Sequence, residues 1–393
     1  MRAFTFKGLF LTAVFMLLGC LTIQAADDDL ITKQITIKLD KAGTLPDRIT
    51  SSKKYKITNL KIIGEINGTD FRMIREMAGS DYYGGSTEGN LSVLDLSEAK
   101  IVIGGGDCFN GYSCYTSNDV IGNRAFSGCS RLTSLTLPAS ITRIGDDAFC
   151  CCSGLTSLTL PAGITEIGYG AFWGCSGLTS LNLPAGITSI GDDAFYGCSG
   201  LTSITLPAGI TEIGGSAFNG CSRLTSLTLP AGITSIGGGA FYGCSGLTSL
   251  NLPAGITEIG GGAFYGCSGL TSINLPAGIT SIGEYAFYGC SGLTSVTLPA
   301  GITEIGECAF YGCSGLTSLT LPAGLTQIDD YAFSECSGLT SIYVYAEKVP
   351  KIGEDVFTGC DAKKCTVYVP KGTYDDYWLS DFRNYFENIV EFD

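Results

Sequence analysis

Apolar positions recur along most of this chain in a fixed 23-residue frame. The motif Ala-Phe-x-Gly-Cys-Ser, with two variants, repeats with its Ala at 125, 148, 171, 194, 217, 240, 263, 286, 309 and 332. A degenerate further copy follows at Val356-Phe357-Thr358-Gly359-Cys360. One unit, from Leu155, reads LTSLTLPAGITEIGYGAFWGCSG, with Leu155, Leu158, Leu160, Ile164, Ile167, Ala171, Phe172 and Cys175 as its constant apolar positions. Ser157-Leu158-Thr159-Leu160 alternates out and in, which predicts a short strand with its leucines on a core. Pro161 then ends backbone pairing along that strand, and nine of the 12 prolines hold this position. Ile164 and Ile167 predict a second inward bend. Gly168 permits a turn that a β-carbon would hinder. Ala171 to Gly174 is long enough for about one helical turn, which would drop Phe172 into the core.

A single coil cannot cover eight apolar side chains by itself, whereas stacked coils cover each other's. The expected fold is therefore an α/β-type repeat solenoid, mainly β. It is a parallel-stranded arc or rod with short helical turns and capped ends, ten coils spanning about 50 Å at ~4.8 Å per step. The solenoid proper occupies residues 123–360. Residues 27–122 read as an N-terminal cap of degenerate repeats, with strands at 57–62 and 91–96 and a Gly-rich insertion at 104–119. Within it Asp70 is the expected N-cap of a helix over 71–78 that buries Phe71, Ile74 and Met77. Residues 361–393 read as a C-terminal cap: a strand at 366–370, an amphipathic helix at 373–386 and a final strand at Ile389-Val390. Such caps are expected because bare solenoid ends expose strand edges and apolar layers.

The unit LxxLxLPxxITxIGxxAFxGCxx resembles the BspA-like leucine-rich repeats of bacterial surface proteins. The resemblance is strong over 123–360. It extends to ITNLKIIGEINGTDFRMIREMAG, LSVLDLSEAKI and VYVPKGTYDDYW in the flanks. It implies a leucine-rich repeat solenoid at the bacterial surface, with contacts to host matrix or plasma proteins, host cells or other bacteria.

Composition removes several alternatives. The 393 residues include no histidine, so Ser-His-Asp and Cys-His catalysis and His-ligated zinc are excluded. A net charge of −14 argues against nucleic acid, whose phosphates call for a basic face. Residues 1–25 read as a secretory signal: Arg2 and Lys7, then an apolar stretch too short to span a bilayer. Two cleavage chemistries compete. Leu17-Leu18-Gly19-Cys20 resembles a lipobox (leader 1–19), which would lipidate Cys20. Ile23-Gln24-Ala25 instead fits an ordinary signal peptidase. The expected location is extracytoplasmic, at the cell surface (outer membrane) or secreted, with a lipid anchor as the only membrane contact.

Of the 18 cysteines, ten occupy one site per coil, from Cys129 to Cys336. That predicts a buried column of free thiols donating weakly to backbone carbonyls, because parallel neighbours lack the dihedral of a disulfide. Disulfides are more credible for Cys108 with Cys114 or Cys360 with Cys365. Cys150-Cys151-Cys152 leaves two further thiols near the surface. Neither a metal site nor a cofactor is expected.

Only outward positions remain for function. The strand face carries Thr136, Thr159, Asn182, Thr205, Thr228, Asn251, Asn274, Thr297, Thr320 and Tyr343, an uncharged grid without a nucleophile–base pair. A second stripe follows Ala-Phe: Trp173, Tyr196, Asn219, Tyr242, Tyr265, Tyr288 and Tyr311. Its six aromatics either stack on themselves and cover the turns or form a strip for protein or sugar contacts. Glu166, Glu212, Glu258 and Glu304 alternate with serines every second coil, ~10 Å apart, too far to share a calcium ion. Asp146-Asp147 and Asp192-Asp193 fall in turns, as solvated charges. The expectation is thus a non-enzymatic, monomeric binding or adhesion protein for host or bacterial proteins or glycans. Its rivals are a carbohydrate-active enzyme and a nutrient-capture lipoprotein.

Overall fold

Leucines every second residue before a proline give each coil one short strand, and 23-residue spacing puts every strand beside its predecessor. A computed structural model describes residues 30–110 and 116–392. The expected leader with Cys20, and Cys114, lie outside the described residues. The chain winds as a parallel-stranded solenoid of about 15 turns with few helices. Register follows the repeat: Ser249 pairs with Ser272, Leu250 with Ile273 and Asn251 with Asn274. A second ladder of two-residue strands, such as Glu212-Ile213 beside Ser235-Ile236, forms at the Ile167-type bend.

The eight apolar positions of each coil are buried throughout, for example Leu178, Leu181, Leu183, Ile187, Ile190, Ala194, Phe195 and Cys198. Each fully buried Leu, Ile or Phe is worth about 1.5–3 kcal/mol of transfer free energy. The phenylalanines form one column from Phe126 to Phe357, with neighbouring centroids 5.1 Å (Phe287–Phe310) to 5.6 Å (Phe333–Phe357) apart. The column thiols donate to carbonyls of the preceding coil, three residues earlier in coil register: Cys198 Sγ to Phe172 O at 3.1 Å and Cys244 Sγ to Phe218 O at 3.1 Å. Threonines add a polar equivalent outside. Thr202 Oγ1 donates to Thr179 O at 3.0 Å and Thr340 Oγ1 to Thr317 O at 3.0 Å. The same bond continues into the cap through Ser92 and Thr58.

Three local expectations change. The segment around Phe172 forms successive tight turns rather than a helical turn. Alternate amides are spent on the next coil, Phe172 N to Ala194 O at 2.9 Å and Gly174 N to Tyr196 O at 2.6 Å, while those between bond three residues back, as Trp173 N does to Gly170 O at 2.9 Å, so no α-turn closes. The cap helix starts three residues early, at Gly68–Met77, with Asn67 as its N-cap and Asp70 in the third position of a capping box. Asp70 is fully buried and also accepts from Gly43 N and Leu45 N, 2.6 and 2.9 Å away, which ties the preceding turn to the helix. Phe71, Ile74 and Met77 are buried as expected. The C-terminal helix is broken into Tyr374–Trp378 and Phe382–Tyr385, before a last strand at Asn388–Phe392.

The main ladder is unpaired at two places, between Ser157–Thr159 and Ser180–Asn182 and between Ser203–Thr205 and the next coil. At the second, residues 226–228 keep only a single bridge, Thr228 with Asn251. Nothing in the structure explains the first.

Candidate functional site

The grid on the strand face lies where alternation puts it. Thr159, Asn182, Thr205, Asn251 and Thr297 are exposed, while Thr320 and Tyr343 are half-buried near the C-terminal cap. Tyr343 stacks on Tyr368 at 4.6 Å. Hydroxyls and amides here can hydrogen-bond a ligand but supply no base for a nucleophile.

The aromatic stripe resolves into two blocks separated by Asn219. Trp173 and Tyr196 form the first, with centroids 5.8 Å apart and planes tilted by 28°. Tyr242, Tyr265, Tyr288 and Tyr311 form the second, at 4.4, 4.4 and 4.7 Å and within 5° of parallel. Inside this block each ring face is covered by its neighbour, so edges and hydroxyls meet solvent. The first ring of each block lacks an aromatic neighbour on one side. These two are the exposed members, Trp173 at 39% and Tyr242 at 40%, whereas the other four are half-buried. Desolvation, then the adjacent Tyr265, raise the Tyr242 phenol.

The turn carboxylates are not free solvated charges. Asp146 accepts from Tyr169 N at 3.0 Å and Asp192 from Gly215 N at 2.6 Å, each satisfying a backbone donor of the following coil. Asp147 pairs with Arg124 at 3.0 Å and Asp193 accepts from the Tyr169 hydroxyl at 2.5 Å. That hydroxyl is pushed up to about 12 by the Asp193 hydrogen bond and charge. Sequence reasoning missed this bonding; the signal was Asn or Asp recurring just after the turn glycine at 123, 146 and 192. Glu166 pairs with Arg143 at 2.9 Å, and Glu212, Glu258 and Glu304 stand exposed on alternate rungs. Among the described residues no group of three or more Cys, Asp or Glu is placed to hold a metal ion.

The column thiols are chemically quiet. Burial pushes Cys129 up to about 11 and Cys198 and Cys267 up to about 12, so none is a thiolate nucleophile at neutral pH. Cys360 and Cys365 are free, whereas Cys108 is disulfide-bonded. Beside the first aromatic block lies a cavity of about 370 Å³, lined by Arg124, Ser127, Asp147, Cys150, Tyr169 and Trp173.

Comparison with known proteins agrees with this architecture. No curated protein matches the chain. A leucine-rich repeat protein from Bacteroides ovatus is 27% identical, with a TM-score of 0.57 over 88% of this chain and 87% of that one. A leucine rich cell surface protein from Faecalibacterium prausnitzii is 29% identical over 57% of this chain and 76% of its own, with a TM-score of 0.38. A T. pallidum leucine rich repeat protein is 30% identical over 47% and 78%, also at 0.38. The profile of the BspA type leucine rich repeat region matches in 6 copies, over residues 119–248, 167–278 and 257–375. The 23-residue frame, the parallel coils and this match together place the chain in the family of BspA type leucine rich repeat proteins.

Proposed function

We propose that the chain is an exported, non-enzymatic binding protein of the bacterial surface or its surroundings, which grips a protein partner through the aromatic strip Trp173, Tyr196, Tyr242, Tyr265, Tyr288 and Tyr311. The observation that carries this reading is the pair of aromatic anchors, Trp173 and Tyr242, each more than a third exposed on a periodic surface. Aromatic anchors set in a polar surround are what protein interfaces concentrate. The inner phenols Tyr265 and Tyr288, stacked on both sides, offer edges and hydroxyls rather than ring faces, which along the strip favours polypeptide hydrogen-bonding groups over the face-on stacking of a sugar. The family and the sequence of residues 1–25 support the extracytoplasmic location. Repetition supports the absence of catalysis, since an active site is one asymmetric constellation.

The test is a binding screen of the mature chain against host matrix proteins, bacterial surface proteins and glycans. The same screen is run on Trp173→Ser and Tyr242→Ser. Each substitution is expected to weaken the captured protein at least about tenfold, the effect of losing an interface anchor. A glycan hit with no protein hit, or affinities unchanged in both variants, would remove the strip from this role.

A further inference from the structure

The second coil departs from the repeat at two adjacent positions. Where later coils place an aromatic followed by glycine (Trp173-Gly174, Tyr242-Gly243), it places Cys150 followed by Cys151. The backbone does not change to accommodate this. Cys151 N donates to Trp173 O at 2.6 Å, as Gly174 N does to Tyr196 O. Cys151 keeps the left-handed conformation of those glycines, φ +58° against +69° at Gly174 and +68° at Gly197. A β-carbon is disfavoured there, so the second thiol is held against a local conformational cost. Glu335 shares this exception at φ +60°, so what sets the second coil apart is a thiol at both adjacent positions.

The two thiols face each other. Their sulfurs lie 3.6 Å apart, with Cys151 exposed and Cys150 half-buried at the wall of the 370 Å³ cavity beside Trp173. Cys152, by contrast, points inward and donates to Phe126 O at 3.0 Å. Gly128 and Gly174, flanking Cys151 in the coils on either side, carry no side chain to cover it. Two sulfur bonds of about 2.3 Å span about 3.8 Å at a tetrahedral angle and about 4.6 Å when collinear. The observed separation therefore suits a centre that takes two sulfurs at a bent angle. Tetrahedral cations want four protein or solvent ligands, and no third metal-binding side chain joins this pair among the described residues. A trivalent organoarsenical needs only two. We propose that Cys150 and Cys151 form a surface dithiol site that captures trivalent arsenicals.

The chemistry balances without an oxidant. For R–As(OH)₂, two As–O and two S–H bonds break, two As–S bonds form and two waters leave, with arsenic remaining trivalent. Burial, then the neighbouring Cys151, push the Cys150 thiol up to about 12. The inference is independent of the protein-binding role of the strip.

Phenylarsine oxide is the probe, applied to the mature protein purified anaerobically without added reductant, so that the disulfide at Cys108 stays closed. Native mass spectrometry counts adducts. The expected result is one more adduct on the wild-type chain than on Cys151→Gly, retained against excess monothiol and removed by 2,3-dimercaptopropanol. Cys151→Gly restores the glycine that most coils carry, so its fold is expected to persist, with circular dichroism as the check. Cys150→Ser, which leaves the backbone conformation untouched, should lose the same adduct. Equal adduct counts on the wild-type chain and both variants would overturn the proposal.

Discussion

At the scale of single residues, most of the interior could be read directly and most of the polar bonding could not. Burial of the Leu, Ile, Ala, Phe and Cys positions follows from periodicity, because every coil offers the same environment. Asp70 shows why the polar side is harder. Its partners Gly43 and Leu45 lie 27 and 25 residues away, so no local pattern announces them. A buried carboxylate accepting from Gly43, Leu45 and Asn67 amides leaves those donors orphaned when removed. Asp70→Ala should therefore destabilise the N-terminal cap by about 3 kcal/mol. Hydrogen exchange is the measurement: amides of residues 43–77 should lose protection while those beyond residue 150 keep theirs. Unchanged protection in the cap would show that the carboxylate is dispensable.

At the scale of elements, two departures trace to single side chains that a pattern of apolar positions does not weigh. The C-terminal segment has helical periodicity, yet Tyr377 and Phe382 are both fully buried. Five residues apart on one helix, they would point about 140° away from each other. Breaking the helix lets the Tyr377 hydroxyl reach Ala346 O at 2.6 Å while Phe382 packs 5.7 Å from Phe357. The sheet interruption at residues 226–228 has a comparable origin in Arg223. Its coil register is that of Gly200, where an added β-carbon would sit 2.2 Å from Ser176 O, and of Gly269, where it would meet Ser245 O at 2.3 Å. A side chain at that site forces its coil away from the one before. A notch of about 390 Å³ opens between Thr205 and Thr228. Arg131 stands at the same place in the first coil, but its amide bonds to Ala78 O of the cap, which has another shape. Arg223→Gly should close the seam and raise stability by about 1 kcal/mol through regained pairing. Slower exchange at residues 225–228 with a higher melting midpoint would bear this out. Faster exchange there would mean that the arginine stem supports the coil instead.

At the scale of the whole molecule, identical coils make one chemical property add along the axis. Each column thiol is buried and raised, Cys129 to about 11, Cys198 and Cys267 to about 12, and Cys221, Cys244, Cys290, Cys313 and Cys336 well above the ordinary value, by desolvation first in every case. A group whose folded pKa lies above its unfolded one favours the folded state fully below the unfolded value. That contribution fades as pH climbs past it, because the unfolded chain sheds protons that the folded chain retains. Above about pH 8.5, the range of a free thiol, each column cysteine thus removes about 1.4 kcal/mol per pH unit. Tyr377, raised by burial first, adds with the same sign above pH 10. In a solenoid whose coils contact only their neighbours, this loss falls on every interface at once. The chain should therefore stay fully folded to about pH 9 and then unfold steeply. Thiolate absorbance at 240 nm should rise in step with the loss of circular dichroism. Cys221→Ser with Cys244→Ser removes two titrating groups from the middle of the column, where serine hydroxyls still reach the Phe195 and Phe218 carbonyls that the thiols now use. That double variant should shift the alkaline midpoint upward. Gradual thiol ionisation near pH 9 with circular dichroism intact would mean that the column is open to solvent, and the dry interior on which the coil stacking rests would have to be given up.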